Sequence, residues 1–141
     1  MAKGLSAESI TVAAAELIEQ YRRSGFSMRL LADTMGVKTA SLYNHIENMD
    51  TLLTEVCRYA LRMQEDGELR AIAGKTGREA VWALAWAYRR FAQQHRELYW
   101  LVMDTAAGEP RVLDDAAARF TEPLKQVLSG VKTRGILGEV Q

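Results

Sequence analysis

Residues 27–53, SMRLLADTMGVKTASLYNHIENMDTLL, decide the fold. They read as two short helices folded across a glycine turn, with a third helix beginning behind them. Ser27 is placed to accept a backbone N–H at the head of the first helix, and Leu30, Leu31, Ala32 and Met35 form its apolar side. Gly36 falls where that helix must stop, because glycine enters the left-handed backbone of a helix end without steric cost. Val37 opens a three-residue connection, and Thr39 is expected to cap a second helix through Ala40, Ser41, Leu42, Tyr43, Asn44 and His45. A helix, a tight glycine turn and a short polar-and-aromatic helix make a helix-turn-helix. That arrangement lays its second helix in the DNA major groove.

The flanks supply what such short helices need to be stable, since helices of two turns do not stand alone. On the N-terminal side, Ser6 can cap a helix with Glu8 in its first turn, and Ile10, Ala13, Ala14, Leu17, Ile18 and Tyr21 recur at helical spacing. Arg22 and Arg23 fall in its last turn, and Gly25 ends it. On the C-terminal side Asn48 can cap a long helix with the stripe Leu52, Leu53, Val56, Ala60 and Met63. It extends to Ile72 through a charged patch at residues 64–68, and Gly74 closes it.

Farther along, TGRE at residues 76–79 matches a capping box ahead of an apolar run. The helix that follows, to Gln94, is apolar around most of its circumference and is expected to be central, surrounded by others. His95 begins a break, and residues 98–108 make a short apolar helix. Pro110 suits the first turn of another, whose face carries Leu113, Ala116, Ala117 and Phe120, and Pro123 kinks or splits it. Gly130, Gly135 and Gly138 predict a loose last dozen residues. With no strand-like alternation, repeat or low-complexity segment, the chain is expected to be all-α.

At 141 residues with 48% hydrophobic side chains and two prolines, the chain can bury a sizeable core and is expected to be ordered. No run approaches the roughly 20 apolar residues of a membrane span, so no membrane partner is expected. The absence of an apolar leader and the single Cys57, which cannot pair internally, point to the cytoplasm. The net charge is zero, and residues 1–64 carry seven lysines and arginines against seven aspartates and glutamates. DNA affinity rests largely on phosphate neutralisation. Any DNA binding therefore has to use a few well-placed cations and helix N-termini, doubled by a dimer.

Residues 36–53, GVKTASLYNHIENMDTLL, behind an amphipathic helix and LLADTMG, resemble the DNA-binding head of TetR-family transcriptional regulators. The resemblance is close over residues 5–55; beyond them it extends only to character, an all-helical ligand-sensing core. It implies an all-α fold with an N-terminal three-helix helix-turn-helix DNA-binding domain, residues 1–47, and a helical ligand-binding core, residues 48–141. It also implies site residues. Thr39, Ala40 and Ser41 face base edges, Ala40 against a thymine methyl; Tyr43 and His45 reach phosphates, with Asn44 between them; Lys38 contacts the backbone; Arg29 reaches a phosphate or a guanine edge; Leu42 belongs to the core. The family often has a lysine near the start of its fourth helix, where this chain has Met49. Members usually continue for about two further helices that pair with a twin chain, so either this chain is trimmed or its homodimer uses other surfaces.

Several of these residues have a plainer reading. Tyr43 can be a core aromatic with its hydroxyl at the surface, His45 a surface or capping histidine, and Arg29 a solvated helix cation. Aromatic residues at helical spacing are more often core than pocket. Even so, three tryptophans within nineteen residues are much bulk to pack without gaps, and ligand cavities are apolar with a few polar groups. The expected pocket is Trp82, Trp86, Trp100, Met103 and Phe120, with Gln94, His95 and Tyr99 as its polar groups. The partners implied are double-stranded operator DNA, a small apolar or aromatic effector and a second copy of the chain. No cofactor or metal is expected, and no nucleophile–base pair, phosphate-cradling loop or metal spacing suggests an enzyme. The competing expectation is a helical small-molecule-binding or protein-adaptor module without DNA binding, which the neutral head favours.

Overall fold

The structure, a computed structural model, describes residues 4–132. Among them are eight α-helices, one 3-10 turn and no strand. Helix α1 is Ala7–Gly25. It starts on a reciprocal cap in which the Ser9 N–H donates to Ser6 Oγ and the Ser6 N–H donates to Ser9 Oγ, each at 3.0 Å. Near its end Arg22 sits at φ 64, ψ 169, which breaks the helix before Gly25. Helix α2, Met28–Met35, begins where Ser27 Oγ accepts the Leu30 N–H at 3.1 Å. It ends on Gly36 at φ 68, whose N–H turns back to the Ala32 and Asp33 carbonyls.

Helix α3, Thr39–Tyr43, is shorter than the sequence suggests. Lys38, not Thr39, is its N-cap, and no side chain caps it. Its end tightens because the Leu42 carbonyl accepts both the His45 and the Ile46 N–H, at 3.0 and 3.1 Å, and Ile46 turns into the core. Helix α4, Met49–Ile72, starts on Asn48, whose Oδ1 accepts the Thr51 N–H at 2.8 Å. The remaining elements are α5 (Gly77–Gln94), α6 (Arg96–Gly108), a 3-10 turn (Pro110–Leu113), α7 (Asp114–Phe120) and α8 (Glu122–Lys132). Pro110 therefore opens a 3-10 turn rather than an α-helix, and Pro123 splits α7 from α8. Gly130 lies inside α8, while the rest of the expected loose tail, residues 133–141, lies outside the described residues.

The chain divides into two compact units. The first is Met1–Ala60 with His95–Leu113. In it α1 packs on α2 and α6, α2 on α3, and α6 on the 3-10 turn. Ile10, Ile18, Leu31, Leu42, Leu52, Val56 and Leu98 are its most deeply buried large aliphatic side chains. Burying such a side chain stabilises the fold by about 1.5–3 kcal/mol, enough to hold three helices too short to persist alone. Polar ties cross the unit as well. The Cys57 thiol lies 3.5 Å from Thr105 Oγ1, and Arg58 reaches the Val112 carbonyl at 3.3 Å. Burial pushes the Cys57 thiol up, against a smaller lowering by the Thr105 hydrogen bond, so Cys57 is an unreactive core residue.

The second unit is Leu61–Gln94 with Asp114–Gln141, in which α8 packs on α5 and α7. Ile72, Ala80 and Val127 form a buried cluster with Leu69, Ala83 and Leu84 against it. Here α5 departs from expectation. It buries Gly77, Ala80 and Phe91 on one side, while Trp82 is 60% and Trp86 54% exposed, so it is not surrounded within the described residues. Two residues read as part of a charged patch, Gln64 and Glu68, are buried on α4 and hydrogen-bonded to each other at 2.9 Å. Burial raises the Glu68 carboxyl above its ordinary range, opposed by the Gln64 hydrogen bond and reinforced by neighbouring Glu65. No helix among the described residues is long and apolar enough to cross a membrane.

Candidate nucleic-acid interface

The first unit carries a short helix with two unlike edges. Leu42 is fully buried and Ile46 nearly so, and these two apolar side chains anchor α3. Tyr43 is 48% exposed, Ala40, Asn44 and His45 are exposed, and Thr39 and Ser41 are half-buried. The burial alternates because successive residues on a helix turn by about 100°, so an anchor at 42 leaves 40, 43 and 44 on other sides. Lys38 is exposed in the connection before α3, and Arg29 is exposed in the first turn of α2.

The turn between α2 and α3 is defined by hydrogen bonds rather than by side-chain bulk. The Gly36 N–H donates to Asp33 O at 3.3 Å, the Val37 N–H to Ala32 O at 3.0 Å, and the Ser41 N–H to Lys38 O at 2.9 Å. With α2 packed between α1 and α3 and its Leu31 and Ala32 buried, the exposed edge of α3 stands on a packed base. Chemically, residues 39–45 offer hydroxyls, an amide, an imidazole and a methyl at the surface. Exposed side chains also supply a phenol on Tyr43, an ammonium on Lys38 and a guanidinium on Arg29.

The residues expected to form a ligand pocket are divided between the two units. Trp82, Trp86 and Gln94 are exposed on α5 in the second unit, and the Arg89 guanidinium lies over the Trp86 ring at 5.4 Å. In the first unit Trp100 is 52% and Met103 45% exposed, and the Tyr99 and Trp100 rings meet edge-on at 5.7 Å. His95 lies 3.7 Å from the Glu19 carboxylate. The Phe120 side chain lies outside the described residues. Among the described residues no three potential ligand side chains converge on a metal site.

The Glu19–His95 contact was not legible in the sequence, because its partners are far apart along the chain and neither belongs to a local motif. The burial of Glu68 left only a faint sign, a carboxylate four residues after Gln64 on one helix face.

An all-helical unit that presents a short, anchored helix behind a glycine turn defines a helix-turn-helix protein. Comparison with known proteins agrees. Residues 81–140 match a family model described as tetracyclin repressor-like, C-terminal domain. The chain is 32% identical over 96 residues to YobS, an uncharacterized helix-turn-helix transcriptional regulator of Bacillus subtilis, an alignment spanning 68% of this chain and 50% of that protein. It is 31% identical over 100 residues to an uncharacterized regulator of the same type from Mycobacterium tuberculosis, across 67% of this chain and 44% of the relative. The chain thus spans about half the length of the curated relatives it matches. Among solved structures it resembles the TetR-family regulator PfmR of Thermus thermophilus, with TM-score 0.68 at 22% identity, over 94% of this chain and 75% of that one. A Rhodococcus protein of unknown function gives TM-score 0.78 at 23% identity, over 99% of this chain and 72% of that one. The chain belongs to the TetR family of transcriptional regulators.

Proposed function

We propose that this chain carries the DNA-binding head and the helical sensing core of a ligand-responsive repressor. The observation that carries the reading is the division of α3 between buried Leu42 and an outward edge of Ala40, Tyr43, Asn44 and His45. Residues 1–47 act as the head. Thr39, Ala40 and Ser41 meet base edges; Lys38, Tyr43 and His45 fix the register on phosphates; Arg29 adds a phosphate or guanine contact. Two copies read a palindrome whose half-sites lie about 34–36 Å apart, one turn of B-DNA. A small apolar or aromatic effector taken up by the helical core releases the operator, provided it binds the DNA-incompetent state more tightly. Such a regulator works in the cytoplasm, where its operator is.

A mobility-shift titration on a duplex selected from a randomised pool, run across a salt series, tests this. The reading expects a sequence-dependent shift that weakens as salt rises, with a shallow slope set by few phosphate contacts. Binding of equal strength to unselected duplex would count against it. The even balance of charge over residues 1–64 favours a second reading, a helical adaptor whose head meets a protein. Joint substitution of Tyr43 and His45 by alanine separates the two, since only the adaptor tolerates it with DNA affinity unchanged.

A further inference from the structure

Helix α6 begins without a cap of its own. His95 occupies its N-cap position, and its side chain does not cap the helix. The first N–H groups of a helix have no partner within it. One of them, on Leu98, donates to Glu19 Oε1 of α1 at 3.2 Å. The other oxygen of the same carboxylate lies 3.7 Å from His95 Nδ1. An ion pair between the two helices, Arg22 to Glu97 at 4.0 Å, involves an arginine side chain 79% exposed, where screening leaves it little strength. Glu19 is more sheltered, at 26% exposure, and its hydrogen bond is assisted by charge. The first turn of α6 is therefore completed by a side chain from α1. In turn α1 packs on α2, and α2 on α3.

We propose that Glu19 is a positioning residue that couples the start of α6 to the DNA-binding head. When α1 shifts as the head seats on DNA, the Leu98 N–H loses or gains its acceptor. When the start of α6 moves, the seating of α1 changes by the same coupling free energy. This inference rests on the DNA-binding reading above. An ordinary helix cap would stabilise α6 without responding to DNA.

Amide hydrogen exchange on the full chain, free and saturated with the selected duplex, separates these possibilities. In the free protein, Glu19→Ala speeds Leu98 exchange about tenfold, the loss of one charge-assisted hydrogen bond. In the wild type, duplex binding changes Leu98 exchange by about fivefold or more. In E19A that response disappears while α3 amides are still protected by the duplex. Glu19→Gln keeps a weaker, neutral acceptor and speeds exchange about threefold, so it carries the test if E19A does not fold. The proposal is overturned if either variant leaves Leu98 exchange at the wild-type rate, or if the duplex protects α3 in the wild type without altering Leu98. If no duplex protects α3, the DNA reading fails and the coupling fails with it. The comparison in free protein still decides whether Glu19 caps α6.

Discussion

Leu42 and Tyr43, neighbours on α3, lie in opposite surroundings: Leu42 has no exposed surface, and Tyr43 is 48% exposed. Their substitutions should therefore separate folding from binding. Leu42→Ala removes a buried isobutyl group and is expected to destabilise the first unit by about 2–5 kcal/mol in urea unfolding. Tyr43→Phe is expected to leave unfolding unchanged and to weaken the selected duplex about tenfold, the loss of one hydrogen bond to a charged acceptor. Equal effects of both variants on stability would contradict the assignment.

Gly36 holds φ 68, and a Cβ built on it meets nothing within 4 Å. The cost of Gly36→Ala is then conformational strain alone, about 1–2 kcal/mol, read as a lower melting temperature. A neutral result would mean that the turn relaxes without its left-handed residue.

Arg22 is the mirror case, because it occupies φ 64, ψ 169, a region in which only glycine is comfortable. Arg22→Gly should raise stability by about 1 kcal/mol, the strain relieved less the entropy of the more flexible residue. Loss of its exposed contact to Glu97 subtracts little. Destabilisation on thermal melting would show that the side chain matters more than the backbone.

Glu68 gives a pH signature whose sign is fixed by its environment. Burial raises its carboxyl above the ordinary 4.5, so the folded state holds a proton that the unfolded state gives up. Its favourable contribution is complete below 4.5 and is lost as pH rises through the elevated folded value. Glu68→Gln removes that loss while keeping a hydrogen-bonding group beside Gln64. The stability difference between E68Q and wild type should grow in favour of E68Q as pH rises from 4.5. A difference independent of pH would contradict the burial argument.

What could be read from the chain alone follows from the range of the forces involved. The caps at Ser6, Ser27 and Asn48 and the turn at Gly36 use residues within four positions of one another, so sequence spacing finds them. The helix-turn-helix of the head is written in the same local code. Lys38 took the cap position from Thr39 because the tertiary burial of Leu42 and Ile46, not a side-chain cap, sets where α3 starts and stops. The exposure of Trp82 and Trp86 was illegible for a related reason. Periodicity shows that a helix is apolar all round, but only packing shows which face is covered. Glu19 and Leu98 meet across most of the chain, and no local pattern encodes that contact.

The most direct test of the account is to follow the backbone amides by nuclear magnetic resonance while the selected duplex is titrated in. The account predicts that the largest shifts fall on residues 38–45 and on Arg29, with α5 and α8 little changed. Shifts concentrated on the exposed tryptophan face of α5, with residues 38–45 unmoved, would contradict it.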